Sequence, residues 1–228
     1  MAERKSVLDR DSAWLFDVFA GFYAWFTAQT AWRTSCGWLA SYLPQGRVVV
    51  LDVGCGPGVS TFEMARRRPD AQYVGLDRAP RMLAEARRRQ ARAGLAGWRI
   101  SWLRGDAGRL PFASASLDAV TGHSLLYLLG EPTRSHALLE MLRVLRPGGR
   151  LVLMEPSARG VSPRQVLRVS ADPRHLVSVV LWRPFSRLHL RYTPASLQHT
   201  LERAGFVQTR VEEVLGGLGL MACAEKPG

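Results

Sequence analysis

The chain has 228 residues, 47% of them hydrophobic, and a formal net charge of +12. That length and apolar content suit one α/β domain with its own core and exclude a disordered chain. The three scattered cysteines, Cys36, Cys55 and Cys223, exclude a disulfide scaffold and show no metal-ligand spacing.

Such cysteines fit small thiols in a reducing, cytoplasmic setting. The positive charge comes almost wholly from arginine, since lysine occurs only at Lys5 and Lys226. It points to an anionic partner (nucleic acid, an acidic membrane or an acidic substrate) or, equally, to the compositional bias of a genome.

Residues from about 9 to 43 read as two helices ahead of the first strand. The stretch from Ala13 to Trp32 carries Asp17 as its one charge and approaches the length of a membrane span. Its flanking acids, Glu3, Asp9 and Asp11, and its aromatic content do not suit a secretory signal. Asp17, Gly21, Ala24, Ala28 and Ala31 form a slim helical face. Leu15, Phe19, Phe22 and Phe26 form a bulky one, with Trp14, Trp25 and Trp32 beside it. Aromatic faces of this size need a cover: a hydrophobic substrate pocket, a partner, a lipid interface or the protein's own core.

The run from Val48 to Val53 reads as a parallel strand buried on both faces. Gly54, Gly56 and Gly58 follow it, and they let the backbone turn sharply and approach a ligand. A helix is expected from Ser60, with Glu63 completing a capping box. Strand, glycine turn and helix start together form a nucleotide-type crevice. The NAD fingerprint does not fit, because its third glycine would fall on Val59.

Strands are expected at 47–53, 72–77, 98–103, 117–122, 149–155, 206–214 and 218–224. Helices are expected near 60–68, 80–93, 133–145 and 193–204, the last opened by Thr193 and Pro194. This is the alternation of a doubly wound sheet. It lapses in 157–191, where Arg164, Arg168, Arg183, Arg187 and Arg191 accompany Val177, Leu181, Trp182 and Phe185. That insertion would lie over the carboxyl ends of the strands, where ligands bind in open sheets. Arginines 66–68 and 87–89 fall near helix ends, where they suit the helix dipole and solvent.

Asp52 before Gly54, Gly56 and Gly58 resembles the first motif of class I S-adenosylmethionine-dependent methyltransferases. Asp77 after Gln72–Leu76, Asp106-Ala107 within 103–112, and the segments 117–123 and 142–156 follow in the family's order. The resemblance implies a Rossmann-like seven-stranded sheet with an N-terminal helical lid. It divides the chain into a lid (1–45), a cofactor-binding core (46–156), a substrate-side insertion (157–192) and a closing helix and strands (193–228).

The implied cofactor is S-adenosylmethionine, with S-adenosylhomocysteine as product, held by Asp52, Gly54, Gly56, Gly58, Asp77, Arg78, Asp106, Ala107 and His123. Within that set Asp52 would order the loop and attract the cationic end, Asp77 would take the ribose diol, and Asp106 would accept from the adenine amino group. His123, after the fourth strand, is the candidate base, with Tyr127 one helical turn later as its partner. The competing reading of His123 is a packing histidine.

Residues 16–23 with Trp32-Arg33 are similar to the entry region of the ubiquinone/menaquinone C-methyltransferase group, which commonly has an aspartate where this chain has Ala24. That likeness implies a lipophilic small-molecule acceptor (a quinone, phospholipid headgroup, phenol or tetrapyrrole) met by Phe19, Tyr23, Phe26, Glu155, Trp182 and His189. The enzyme would work peripherally on an anionic membrane. The alternative is an RNA methyltransferase using the basic surface, disfavoured because no base-methylation motif and no RNA-binding module accompany the domain. A third reading is a binding protein without catalysis.

Overall fold

The structure, a computed structural model, describes residues 30–94, 97–159 and 191–228. Strands β1 (Val49–Val53), β2 (Gln72–Asp77), β3 (Ile100–Arg104), β4 (Leu117–His123), β5 (Leu145–Pro156), β6 (Val207–Val214) and β7 (Gly219–Glu225) form one sheet in the order β3-β2-β1-β4-β5-β7-β6. β1 to β5 pair in parallel with one another, whereas β7 is antiparallel to both β5 and β6. The strand order reverses between β1 and β4, and in open α/β sheets that point leaves a crevice at the strand ends. Five helices are described: α1 (Thr30–Trp38), α2 (Val59–Arg67), α3 (Pro80–Arg92), α4 (Thr133–Val144) and α5 (Pro194–Arg203).

Period-two alternation sorts each strand between two cores. Val50, Tyr73, Ala119, Val152 and Met154 face Met64 and Ala65 of α2 and the 3₁₀ turn at Leu39–Tyr42. Leu51, Val53, Val120, Leu151 and Leu153 face Leu138 and Met141 of α4 and Leu197 and Leu201 of α5. Both faces are therefore covered, which is why β1 reads as an apolar run interrupted by Asp52 alone. Each buried leucine contributes roughly 1.5–3 kcal/mol relative to exposure.

Local signals explain most boundaries. Thr193 Oγ1 accepts from the Ser196 amide at 3.1 Å, and Ser196 Oγ accepts from the Thr193 amide at 2.9 Å, closing a capping box on α5. The capping box expected on α2 does not form. That helix starts at Val59 behind Gly58, whose φ of 81° serves as the cap. Ser60 turns instead to Asp52, and Glu63 pairs with Arg33 of α1 at 2.6 Å. β5 starts at Leu145, earlier than expected, because the register shifts between the Leu117–Leu145 and Ala119–Arg150 pairs and so accommodates Pro147, Gly148 and Gly149. Among the described residues no helix is long and apolar enough to cross a membrane.

Candidate functional site

The turn after β1 is held from beneath. Asp52 is fully buried, and its Oδ2 accepts from Ser60 Oγ and Thr61 Oγ1, both at 2.6 Å. Its Oδ1 accepts from Thr121 Oγ1 at 3.1 Å, across the ladder that pairs Asp52 with Thr121. Burial raises its pKa above the ordinary value against these three donors. Asp52 thus joins the start of α2 to β4. Its carboxylate lies inside the fold, so any pull on a ligand's cationic end would act at a distance rather than by contact.

Gly54, Gly56 and Gly58 all have positive φ (69°, 53° and 81°). Their surroundings differ. A Cβ at Gly54 would lie 2.8 Å from Leu125 Cδ1, and one at Gly58 would lie 2.6 Å from the Trp102 ring. Gly58 therefore makes room for the protein's own Trp102, which also crosses Gly75, packs on Phe62 at 5.3 Å and donates to Gln90 at 2.6 Å. Cys55 is buried between Gly54 and Gly56, and burial pushes its thiol well up.

Asp77, half-buried at the end of β2, braces this loop. Its Oδ2 accepts from the Gly56 amide and its Oδ1 from the Ala79 amide, both at 2.8 Å. One carboxylate thereby fixes the glycine turn against the start of α3. Arg78 is exposed beside it, and its carbonyl accepts from Arg104. Asp106 lies exposed just past β3, with Oδ1 accepting from the Gly108 amide at 2.8 Å, while Ala107 packs on the core. The ends of β1, β2 and β3 thus carry a glycine turn, one half-buried acid and one exposed acid, side by side.

At the end of β4, His123 is 8% exposed, and its Nε2 lies 3.1 Å from Ser35 Oγ of α1. Burial lowers its pKa to about 4, so the ring is neutral at pH 7. An imidazole so depressed is a weak base for an acceptor proton. Tyr127 does not stand one helical turn away. Ser124 takes φ 56°, a 3₁₀ turn follows at Leu126–Leu128, and Tyr127 is buried in the core. Glu155 does not face the mouth either. It is 1% exposed, and its carboxylate accepts from the amides of Leu125 (3.0 Å), Leu126 (2.8 Å) and Tyr127 (3.2 Å). Burial pushes its pKa up to about 7 against those three donors. Glu155 secures the loop that follows β4.

Phe19, Tyr23, Phe26, Trp182 and His189 lie outside the described residues, as does most of the segment expected as an aromatic helix and of the expected insertion. The insertion leaves and rejoins the fold at the end of β5. There Ser157 bridges Tyr192, and the Ala158 amide donates to the Tyr192 carbonyl at 2.7 Å. Among the described residues no cluster could hold a metal ion.

Ser35, Thr121 and Trp102 carried no signal in the sequence, because a hydroxyl's partner across a ladder, or 88 residues away, has no local signature. Ser60 and Thr61, directly after the glycine turn, could have been read as partners of Asp52.

Residues 50–149 match the family model of a methyltransferase domain. Over 138 residues the chain is 40% identical to the ubiquinone/menaquinone biosynthesis C-methyltransferase UbiE of Paracoccus denitrificans, covering 60% of this chain and 52% of that protein. It spans about half the length of several such curated relatives. A longer match is to the 2-phytyl-1,4-naphtoquinone methyltransferase of Thermosynechococcus vestitus, 33% identical over 197 residues, 81% of this chain and 83% of that one. Among solved structures the [4+2]-cyclase SpnF superposes with a TM-score of 0.72 at 18% identity, covering 94% of each chain, a likeness of fold alone. With the longer match extending well beyond the family model on a seven-stranded sheet of this order, the chain belongs to the class I S-adenosylmethionine-dependent methyltransferases and is similar to their ubiquinone/menaquinone C-methyltransferase group.

Proposed function

We propose that this protein transfers a methyl group from S-adenosylmethionine to a quinone-type small molecule carrying a lipophilic chain. The observation that carries the reading is the similarity, over 81% of the chain, to a protein named for a phytylated naphthoquinone. The residues at the strand ends fit the cofactor by their chemistry. The sharp glycine turn after β1 suits an amino acid moiety, the Asp77 carboxylate suits a ribose diol, and Asp106 suits an exocyclic amine.

When bound, S-adenosylmethionine supplies a methyl group activated on a sulfonium. The chain's own part is to align and to exclude water, and ideal alignment alone can supply up to about 7–11 kcal/mol. Asp52 fixes the turn from beneath, Asp77 ties it to α3, and Glu155 sets the loop after β4. Neutral His123 holds Ser35, and with it α1, over the end of β4. It is a positioning residue in this reading.

The test is incubation with methyl-labelled S-adenosylmethionine and, in parallel, a short-chain demethylnaphthoquinol, phospholipid vesicles and total RNA. Label in the quinol is expected. Label in RNA alone would overturn the acceptor class, and failure to bind the cofactor would overturn methyl transfer altogether.

A further inference from the structure

The loop that carries Asp106 runs from β3 to β4 without helix or strand of its own, so something outside it must fix it. Two side chains one turn apart on α4 do so. Glu140 Oε2 accepts from the Leu110 amide at 2.7 Å, and Arg143 Nη2 donates to the Leu110 carbonyl at 3.0 Å. Arg143 Nη1 donates to the Phe112 carbonyl at 2.9 Å and to Ser114 Oγ at 3.3 Å. The two side chains lock each other, with Nε to Oε1 at 2.6 Å and Nη2 to Oε2 at 2.8 Å. Both backbone polar groups of Leu110 are therefore held by one ion pair, and Leu110 is 3% exposed in the core.

The loop's far end is clipped as well. The amides of Ala115 and Ser116 donate to the carbonyls of Arg143 and Val144 at 3.0 and 2.9 Å. On the near side, the Arg109 amide donates to the Asp106 carbonyl at 3.0 Å. The chain from Asp106 to Leu110 is thus a short, closed turn whose one end is pinned by α4. Lysine could not replace Arg143 here, since a point charge cannot serve several acceptors in fixed directions.

We infer that Glu140 and Arg143 are positioning residues for the cofactor. Neither touches it, and together they set the place of Asp106 and so the affinity for the adenosine half. The inference rests on the proposed cofactor site. Side chains that act through another group reveal themselves by coupling, because paired losses then fail to add.

The experiment is a double-mutant cycle on the full chain. It uses Arg143→Lys, Glu140→Gln and Asp106→Ala, with titration calorimetry of S-adenosylhomocysteine and of 5′-methylthioadenosine. Arg143→Lys is expected to weaken both ligands by about tenfold, the loss of roughly one charge-assisted hydrogen bond. In the Asp106→Ala background the same change should cost under about twofold. The KM for the quinol should move far less than that for the cofactor. Glu140→Gln keeps the volume and serves if Arg143→Lys does not fold. Equal losses with and without Asp106, or unchanged affinity in a folded variant, would overturn the inference while leaving the cofactor site intact. A wild-type protein that binds neither ligand would instead defeat the underlying functional reading.

Discussion

Ser35 and His123 meet at 3.1 Å although 88 residues separate them, and both are buried, at 1% and 8% exposure. The contact ties the helix that precedes the domain core to the end of β4, at the mouth of the crevice. If it positions α1 over the acceptor, His123→Ala and Ser35→Ala should both lower turnover with the quinol much more than they weaken cofactor binding. Losing one buried neutral hydrogen bond costs about 1 kcal/mol in its own right. Parallel losses of folding stability and of cofactor affinity, with turnover per folded molecule unchanged, would assign the pair to packing alone.

Asp77 should weaken cofactor binding when truncated, and by a bounded amount. Asp77→Ala removes the acceptor for the Gly56 and Ala79 amides together with the proposed diol contact, so a loss of about 1.5–3 kcal/mol is expected by calorimetry. Unaltered affinity would remove Asp77 from the site.

Two buried groups should pull stability in opposite directions with pH. His123 ordinarily titrates near 6.5 and is held near 4, so the unfolded chain gains a proton first and stability falls as pH drops from about 6.5 to 4. Glu155 ordinarily titrates near 4.5 and is raised to about 7, so its contribution is fully present below 4.5 and lost as pH rises to about 7. Each amounts to about 3 kcal/mol at most, and between 4.5 and 6.5 they largely cancel. Urea denaturation over this range should show His123→Gln losing stability with rising pH more steeply than the wild type, and Glu155→Gln the reverse. Identical slopes in all three proteins would refute both assignments.

Trp102 should make Gly75 costly to replace. A Cβ there would stand 2.5 Å from a ring that is itself wedged against Phe62 and Gly58, so Gly75→Ala should cost about 1–3 kcal/mol by overpacking. In a Trp102→Leu background most of that cost should vanish. Additive losses in denaturant would show that the clash is relieved elsewhere.

If the aromatic residues between Ala13 and Trp32 and the arginines of residues 157–191 meet a membrane, attachment should gain about 1 kcal/mol per arginine near an anionic surface and weaken with salt. Co-sedimentation should favour anionic over neutral vesicles at low salt and fade at high salt. Binding to neither would return the positive charge to composition.

The sheet was largely legible in the sequence because β1, β2, β4 and β5 are covered on both faces and so read as apolar runs. Thr193-Pro194 likewise announced α5 by local chemistry alone. The site was only partly legible. Asp52, Asp77 and Asp106 could be placed at strand ends, but the direction of a side chain depends on register and on neighbours brought from afar. Asp52 faces α2 because Val50 does, and that fixes it among hydroxyls. Glu155 looked like a strand-end acid, yet three amides from the loop after β4 take it inward. The spacing of Tyr127 from His123 differs from a helical turn because Ser124 adopts a left-handed conformation ahead of the 3₁₀ turn.

The position of β7 has a consequence for how the chain comes into being. β7 lies between β5 and β6, yet it follows both in sequence, and it pairs with β5 from Arg150 to Pro156. On the ribosome, β5 therefore emerges long before the strand that covers its edge. For that interval its residues Leu151 to Met154, all buried in the finished sheet, present an open apolar margin to any other nascent strand. Truncation before Gly219 would make this interval permanent, and such chains should accumulate as aggregates rather than as a smaller soluble domain.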